Sequence, residues 1–471
     1  MIVQLCVALL ISALIGYATW AKVKSAHAAH DGSGRDVFLA GGGLSWLYVA
    51  GSITLTNLST EQLVGNNGNQ MLLLAWWELA GFVGLLILAG VFVPVYYRHG
   101  CTTVTELLDR RYQGGSVRVL VAAIFLVGSV LIYIPAALYS GSLFLATMLG
   151  WQGSLLVFAA PMAAIAALYT ILGGLRAVAV MDTFAGIGVL AIALLVVVLA
   201  MNAIGWDLSG IPAERLTLVG SNTSPIPFHT LFTGMVFIQI FYWSTNQNIT
   251  QKAMTAPTVR EAQRGVLAAA AVRILVIPLI VVVPGVVAFK LFGPLGDAAY
   301  GRIVAHVLPS WLIGSFAALM AAAVIAHTAA ILNGAVALYS LDFHDRFIAP
   351  ITDHWKIALR ATVAMAVIGV ALVPLFENAK SIINLLQQLN GLTSMPILSA
   401  FIVGLLFKGV KAEAASIAIL FGVGFYGWLS FAPPAFLPVW FHYIDAMLVT
   451  LVACVAVALG VNRLLPRSVP G

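Results

Sequence analysis

Apolar runs of about 20 residues recur from one end of this chain to the other, with short polar joints between them; a helix of that length crosses the hydrocarbon core of a bilayer. Lipid offers no water to satisfy a backbone N–H or C=O, so each run is confined to a helix that bonds internally. The composition excludes an ordinary soluble globule, because 61% of the residues are hydrophobic and 8% are charged, against roughly 25% charged in soluble domains. The fold expected is an all-α polytopic membrane protein, a single unit without a separate soluble domain.

Thirteen spans are read, approximately at 2–21, 45–66, 71–97, 117–148, 152–173, 178–204, 229–252, 262–292, 311–341, 357–376, 381–407, 412–431 and 438–462. The first differs from a secretory leader because Lys22 and Lys24 follow the apolar run instead of preceding it. It is read as a retained helix with its N-terminus outside. Short cytoplasmic loops collect Lys and Arg. Of the 23 in this chain, Arg215, Lys290, Arg302 and Lys380 fall outside, Arg273 lies within a span, and the other eighteen fall inside. The C-terminus is therefore expected inside, and the net charge of +6 follows from this asymmetry without a nucleic-acid partner. Cys6, Cys101 and Cys454 fit neither a disulfide framework nor a metal-ligand spacing and are read as packing residues.

A charge at the bilayer centre costs on the order of 2.5 to 3.5 kcal/mol on insertion scales, so each one inside a span asks for a reason. Glu61, Glu78, Asp182 and Arg273 are such residues, with Asp445 nearer an interface and His327 deep in a long apolar helix. In TNLSTEQLVGNNGNQ, residues 56–70, Asn57 and Glu61 are four apart and share a helical face, turned toward other helices and away from lipid. The first half, TNLSTEQ, reads as an interrupted helix lining a cavity, where backbone groups are exposed to solutes and ions. The latter part, from Gly65, reads as an outer turn with Asn66, Asn67 and Asn69 in water. Glu78 must find a polar partner or water, whereas Trp76 and Trp77 before it also suit an interfacial belt. Arg273 has two readings, a site residue or a long side chain snorkelling to the cytoplasmic face. In the seventh span Gln239, Tyr242, Trp243 and Asn246 recur at spacings of three and four. That face suits a polyhydroxylated ligand, with rings against the apolar side of a sugar and amides on its hydroxyls; packing between helices is the alternative.

DVFLAGGGLSWLYVAGSITLTNLSTEQLVG, YTILGGLRAVAVMD, NITQKAMTAPTVREAQRG, ILNGAVALYSLDF and LLQQLNGLTS occur in that order. Together they resemble the solute:sodium symporter family, which includes the sodium/glucose cotransporters. The resemblance implies a LeuT-like fold: a leading helix and loop at 1–44, two inverted five-helix repeats at 45–204 and 229–407, and two peripheral helices at 408–471. The first helix of each repeat would be broken near the midplane, and the repeats would rock to alternate access. It also implies a bacterial cytoplasmic-membrane protein that binds a small solute, a sugar first. Asn57, Gln62, Glu78, Tyr242 and Gln387 match sugar-binding positions. Gln239 stands where an asparagine is usual and Arg273 where a lysine is usual; because the guanidinium fork suits a carboxylate, an acidic sugar stays open.

The ion site departs further from the family pattern. The resemblance implies sodium as coupling ion, held by carbonyls at Leu55 and Leu58 and by positions Ala323, Ala326 and His327, with Asp182 close by. Two serines of that site are here Ala326 and His327. Thr328 is adjacent, but one residue along a helix turns a side chain by about 100°. A histidine titrates near neutral pH, so a proton at His327, together with Asp182, is the alternative to sodium, as is an uncoupled carrier. No cofactor is expected and no metal, nucleotide or triad pattern points to an enzyme. A channel and a transporter-like sensor are the readings from other classes. Oligomeric state is not fixed by the sequence.

Overall fold

The computed structural model describes residues 45–56, 58–100, 104–112, 115–348 and 354–465, with the side chains of Leu55, Thr56 and 172–184 among a few left undescribed. The expected leading span at 2–21 and Asn57 lie outside the described residues. Among the described residues every regular element is helical. In chain order they are α1 (Trp46–Thr56), α2 (Thr60–Gly68), α3 (Leu72–His99), α4 (Val104–Tyr112), α5 (Ser116–Leu149), α6 (Leu156–Ala203), α7 (Gly234–Ser244) and α8 (Gln247–Ala253). There follow α9 (Val259–Phe292), α10 (Ala299–Val307), α11 (Ser310–Leu338), α12 (His354–Phe376), α13 (Ile382–Leu406), α14 (Ala412–Phe431) and α15 (Tyr443–Leu464). Nine stretches among the described residues are long and apolar enough to cross a membrane, so the chain is an integral, multi-pass membrane protein.

Two of the spans read from the sequence are split. The span at 45–66 divides into α1 and α2, and the span at 229–252 divides into α7 and α8. Conversely, the spans at 152–173 and 178–204 fall within the one continuous helix α6. The joint expected at 174–177 is helical instead; Gly174 there costs about 1 kcal/mol in a helix but does not forbid one. Prolines bend other helices: α9 is irregular at Val276 (φ −112°) just ahead of Pro278, where the missing N–H and the ring displace the preceding turn.

Hydrophobic burial does not drive helices together in lipid, so small residues that let backbones touch do much of the packing. A Cβ on Gly285 of α9 would sit 2.2 Å from the Asn67 carbonyl oxygen, and one on Gly65 would sit 2.7 Å from Ile383 Cβ on α13. These contacts correct the expectation for NNGNQ. The helix continues through Gly68, and Asn66 and Asn67 are fully buried instead of facing water, with Asn69 half-buried. Asn67 Nδ2 donates to the carbonyls of Leu63 (2.8 Å) and Ile280 (3.2 Å), and Gly285 N donates to Asn67 Oδ1 at 2.7 Å. The amide is a cleat between α2 and α9. The helix gives way to a turn only at Asn69 and Gln70, the latter at φ 55°.

Candidate functional site

The two interruptions define the centre of the molecule. Between α1 and α2, Leu58 and Ser59 leave the helical ladder, with Ser59 extended at φ −87°, ψ 159°. Between α7 and α8, Thr245 and Asn246 do the same, and the Thr245 hydroxyl donates to the Phe241 carbonyl at 2.7 Å. The loosened end of α7 is held by α3: Tyr96 Oη donates to the Ser244 carbonyl (2.9 Å) and Ser244 Oγ donates to the Gly84 carbonyl (3.2 Å). Backbone freed from a helix inside a membrane persists only where such partners or a lined cavity receive it.

Beside the second interruption lies a closed polar network. Arg273 of α9 pairs through Nη2 with Glu78 Oε2 of α3, and both side chains are almost wholly shielded, at 4% and 0% exposure. The guanidinium lies over the Trp243 ring, 4.4 Å from its centroid. Trp243 Nε1 donates to Gln239 Oε1 (3.0 Å), and Gln239 Nε2 donates to the Trp77 carbonyl (2.8 Å). Glycine on α3 makes room for this: a Cβ at Gly81 would meet Trp243 Nε1 at 2.9 Å, and one at Gly84 the Gln239 carbonyl oxygen at 2.3 Å. Arg273 therefore does not snorkel. Its charge is answered by Glu78 and its face by an indole, the geometry of a cation–π contact.

Other residues matched to sugar positions keep partial exposure. Gln62 is the one residue of α2 that is not buried. Tyr242 is half-buried, stands edge-on to Trp243 at 5.4 Å between centroids, and lies within electrostatic reach of Glu61, Glu78, Arg273 and Tyr133. Gln387 of α13, also half-buried, accepts from Asn390 Nδ2 at 3.1 Å, and Asn390 Oδ1 accepts from Tyr133 Oη at 2.8 Å. Tyr133 and Asn390 were not expected. They lie far apart in the chain, and no local pattern shows that α5 and α13 meet there.

The wall opposite is formed by α2 and α11. His327 Nε2 lies 3.4 Å from Glu61 Oε1, the imidazole partly exposed and the carboxylate nearly buried. Glu61, to which the sequence gave no ligand, thus has a partner. Ala326 is buried and Ala323 half-buried on α11, and neither side chain offers an oxygen. Leu58 is buried in the interruption; Leu55 lies in the last turn of α1 with its side chain undescribed, as is that of Asp182 on α6. The Thr328 hydroxyl is fully buried and finds no hydrogen-bond partner among the described residues, as does Glu61 Oε2. Thr170 of α6 ties this wall down by donating to the Ala329 carbonyl at 3.2 Å. Asp445 proves to be structural: it caps α15, accepting from His442 N (3.0 Å), Thr233 Oγ1 (2.8 Å) and His229 Nε2 (2.9 Å).

Paired interrupted helices around shielded polar groups define a solute transporter, and comparison with known proteins agrees. Over 99% of this chain the fold is similar, with a TM-score of 0.79 at 15% identity, to the substrate-bound outward-open state of a sodium-coupled sialic acid symporter. A weaker likeness, TM-score 0.51 over 91% of the chain, is to inward-facing Mhp1. These neighbours are LeuT-fold transporters. In sequence, an uncharacterized symporter, YidK of Escherichia coli, is 32% identical, covering 97% of this chain and 83% of that protein. A sodium/glucose cotransporter of Vibrio parahaemolyticus is 26% identical, covering 94% and 87%. The model of the sodium:solute symporter family matches residues 37–422. The chain belongs to the sodium:solute symporter family and is not an enzyme.

Proposed function

We propose that the chain is a secondary active transporter that carries a sugar or similar polyol across the cytoplasmic membrane of a bacterium by ion-coupled symport with alternating access. The observation that carries this reading is the shielded Glu78–Arg273–Trp243–Gln239 network beside an interrupted helix, with half-exposed Tyr242 within electrostatic reach of it; Gln62 and Gln387 are assigned to the same solute. Amides and a phenol can exchange hydrogen bonds with solute hydroxyls while the aromatic ring covers an apolar sugar face. Because Glu78 answers the charge on Arg273, an uncharged sugar fits better than an acidic one, which would have to displace a buried carboxylate. Residues 45–204 and 229–407 are assigned to the two inverted repeats and 408–471 to peripheral helices, with the N-terminus outside and the C-terminus inside.

Family membership supports sodium as the coupling ion. Leu55 and Leu58 carbonyls and the Ala323 carbonyl would receive it, while Ala326 and His327 supply no hydroxyl. The contact between His327 and Glu61 favours a second reading, in which a proton on this pair takes the place of the ion. Thermal-shift titration of the purified protein with glucose, galactose, myo-inositol and glucuronate, with and without sodium, tests the solute. Stabilisation by a neutral sugar or polyol is expected; stabilisation by none of the four contradicts the sugar reading.

A further inference from the structure

Away from the interrupted helices, α5, the segment after α11 and α12 enclose a groove of about 590 Å³. Two of its walls are π-helical: Ser129–Tyr133 of α5 contributes Leu131, and Tyr339–Ile348 contributes Tyr339 and His344. An extra residue per turn opens the surface of a helix, and such turns gather at functional sites. The third wall is α12, with Arg360, Ala364 and Ile368.

The groove opens to lipid. Val127 and Leu131 of α5 and Val363, Val367 and Ile368 of α12 are large, apolar and exposed on membrane-crossing helices. Its lining is apolar except at one end, where Arg360 is exposed and His344 half-buried. Asp342, two residues before His344, is held by Arg118 Nε at 3.1 Å, and Arg360 supplies the positive charge at that end of the groove. From Arg360 to Ile368 is eight residues, roughly 12 Å along a helix. The distribution of Lys and Arg along the chain puts the Arg360 end toward the cytoplasm, where anionic headgroups attract basic residues.

We infer that this groove is a binding site for an anionic phospholipid, one acyl chain lying along Leu131, Ala364 and Ile368 and the phosphate meeting Arg360 and His344. The long arginine side chain reaches the headgroup level while its stem covers the apolar wall. A zwitterionic lipid fills the same groove but brings no net negative charge to Arg360. A second copy of this chain would cover the face without needing a phosphate.

Thermal unfolding and native mass spectrometry of the full-length protein in detergent, with phosphatidylglycerol, phosphatidylethanolamine or inorganic phosphate added, test this. Phosphatidylglycerol should raise the unfolding temperature by several degrees and remain bound as one mass adduct, with little effect from the other two. Arg360→Ala should remove at least half of that shift, Arg360→Lys should keep most of it, and Ala364→Trp, which fills the groove without changing charge, should abolish it. Equal shifts from phosphatidylglycerol and phosphatidylethanolamine, a full shift from phosphate alone, or wild-type responses in Arg360→Ala and Ala364→Trp would each overturn the assignment.

Discussion

His327 Nε2 of α11 approaches Glu61 Oε1 of α2 to 3.4 Å, so a contact between two side chains links a half-helix next to an interruption to a long membrane helix. Alternating access in this class of fold moves such elements against each other, and an attraction across the seam biases which arrangement is populated.

His327→Ser tests what this pair does to ion coupling. The substitution removes the imidazole, releases Glu61 and supplies the hydroxyl oxygen that a hard cation prefers. Sodium stimulation of solute uptake should strengthen, with half-maximal uptake at a sodium concentration about tenfold lower, equivalent to about 1.4 kcal/mol. An unchanged sodium titration would show that His327 does not shape the ion site.

Glu78 and Gln62 should separate stability from binding. Glu78→Ala leaves Arg273 buried and unpaired, which costs about 3 to 5 kcal/mol, so expression and unfolding temperature should both fall. The double variant Glu78→Gln with Arg273→Gln should recover most of the loss by removing both charges. Gln62→Ala, at the one half-exposed position of α2, should leave the unfolding temperature near wild type and weaken solute binding at least tenfold. Equal stability in Glu78→Ala and wild type would argue against the pair.

A loop between two membrane spans carries a titratable group. Asp297, between α9 and α10, accepts a hydrogen bond from Ile382 N at 2.8 Å, and burial pushes its carboxyl up to about 7. A raised acid is favoured in its protonated form by the fold, so its contribution is complete below the ordinary value of 3.8 and is lost as pH rises through about 7. Thermal stability should therefore fall between pH 5 and 8 in the wild type and fall less in Asp297→Asn, which keeps the acceptor for Ile382. Parallel pH profiles would count against this.

Close approach of α3 and α7 is equally open to test. Gly84→Ala places a Cβ 2.3 Å from the Gln239 carbonyl oxygen, and overpacking of this kind costs about 1 to 3 kcal/mol. The unfolding temperature should drop by several degrees, and the Gln239–Trp243 hydrogen bond should be disturbed along with solute binding.

Much of this was legible in the sequence for physical reasons. Lipid forces every long apolar run into a helix, so α3, α5, α9 and α11 to α15 fall close to where hydropathy puts them. Polar residues inside such runs mark the site, which is why Glu61, Glu78, Gln239, Arg273 and His327 stood out. Their partners did not: Glu61 and His327, like Glu78 and Arg273, lie far apart in the chain, and no local pattern encodes which charges meet. Asn66 and Asn67 misled because amides beside glycines have the composition of a turn, whereas here the glycines let helices touch and Asn67 bonds across them. Asp445, noted only as a charge nearer an interface, finds its reason in capping α15, which its sequence neighbours did not reveal.

Uptake of labelled sugar into proteoliposomes measures directly whether a small solute is carried, coupled to an ion, through the space beside the interrupted helices. With sodium and proton gradients imposed separately, the account predicts accumulation above the external concentration under at least one of them, and its loss in Gln62→Ala. Equilibration to the external concentration whichever gradient is imposed, or wild-type accumulation in Gln62→Ala, would contradict it.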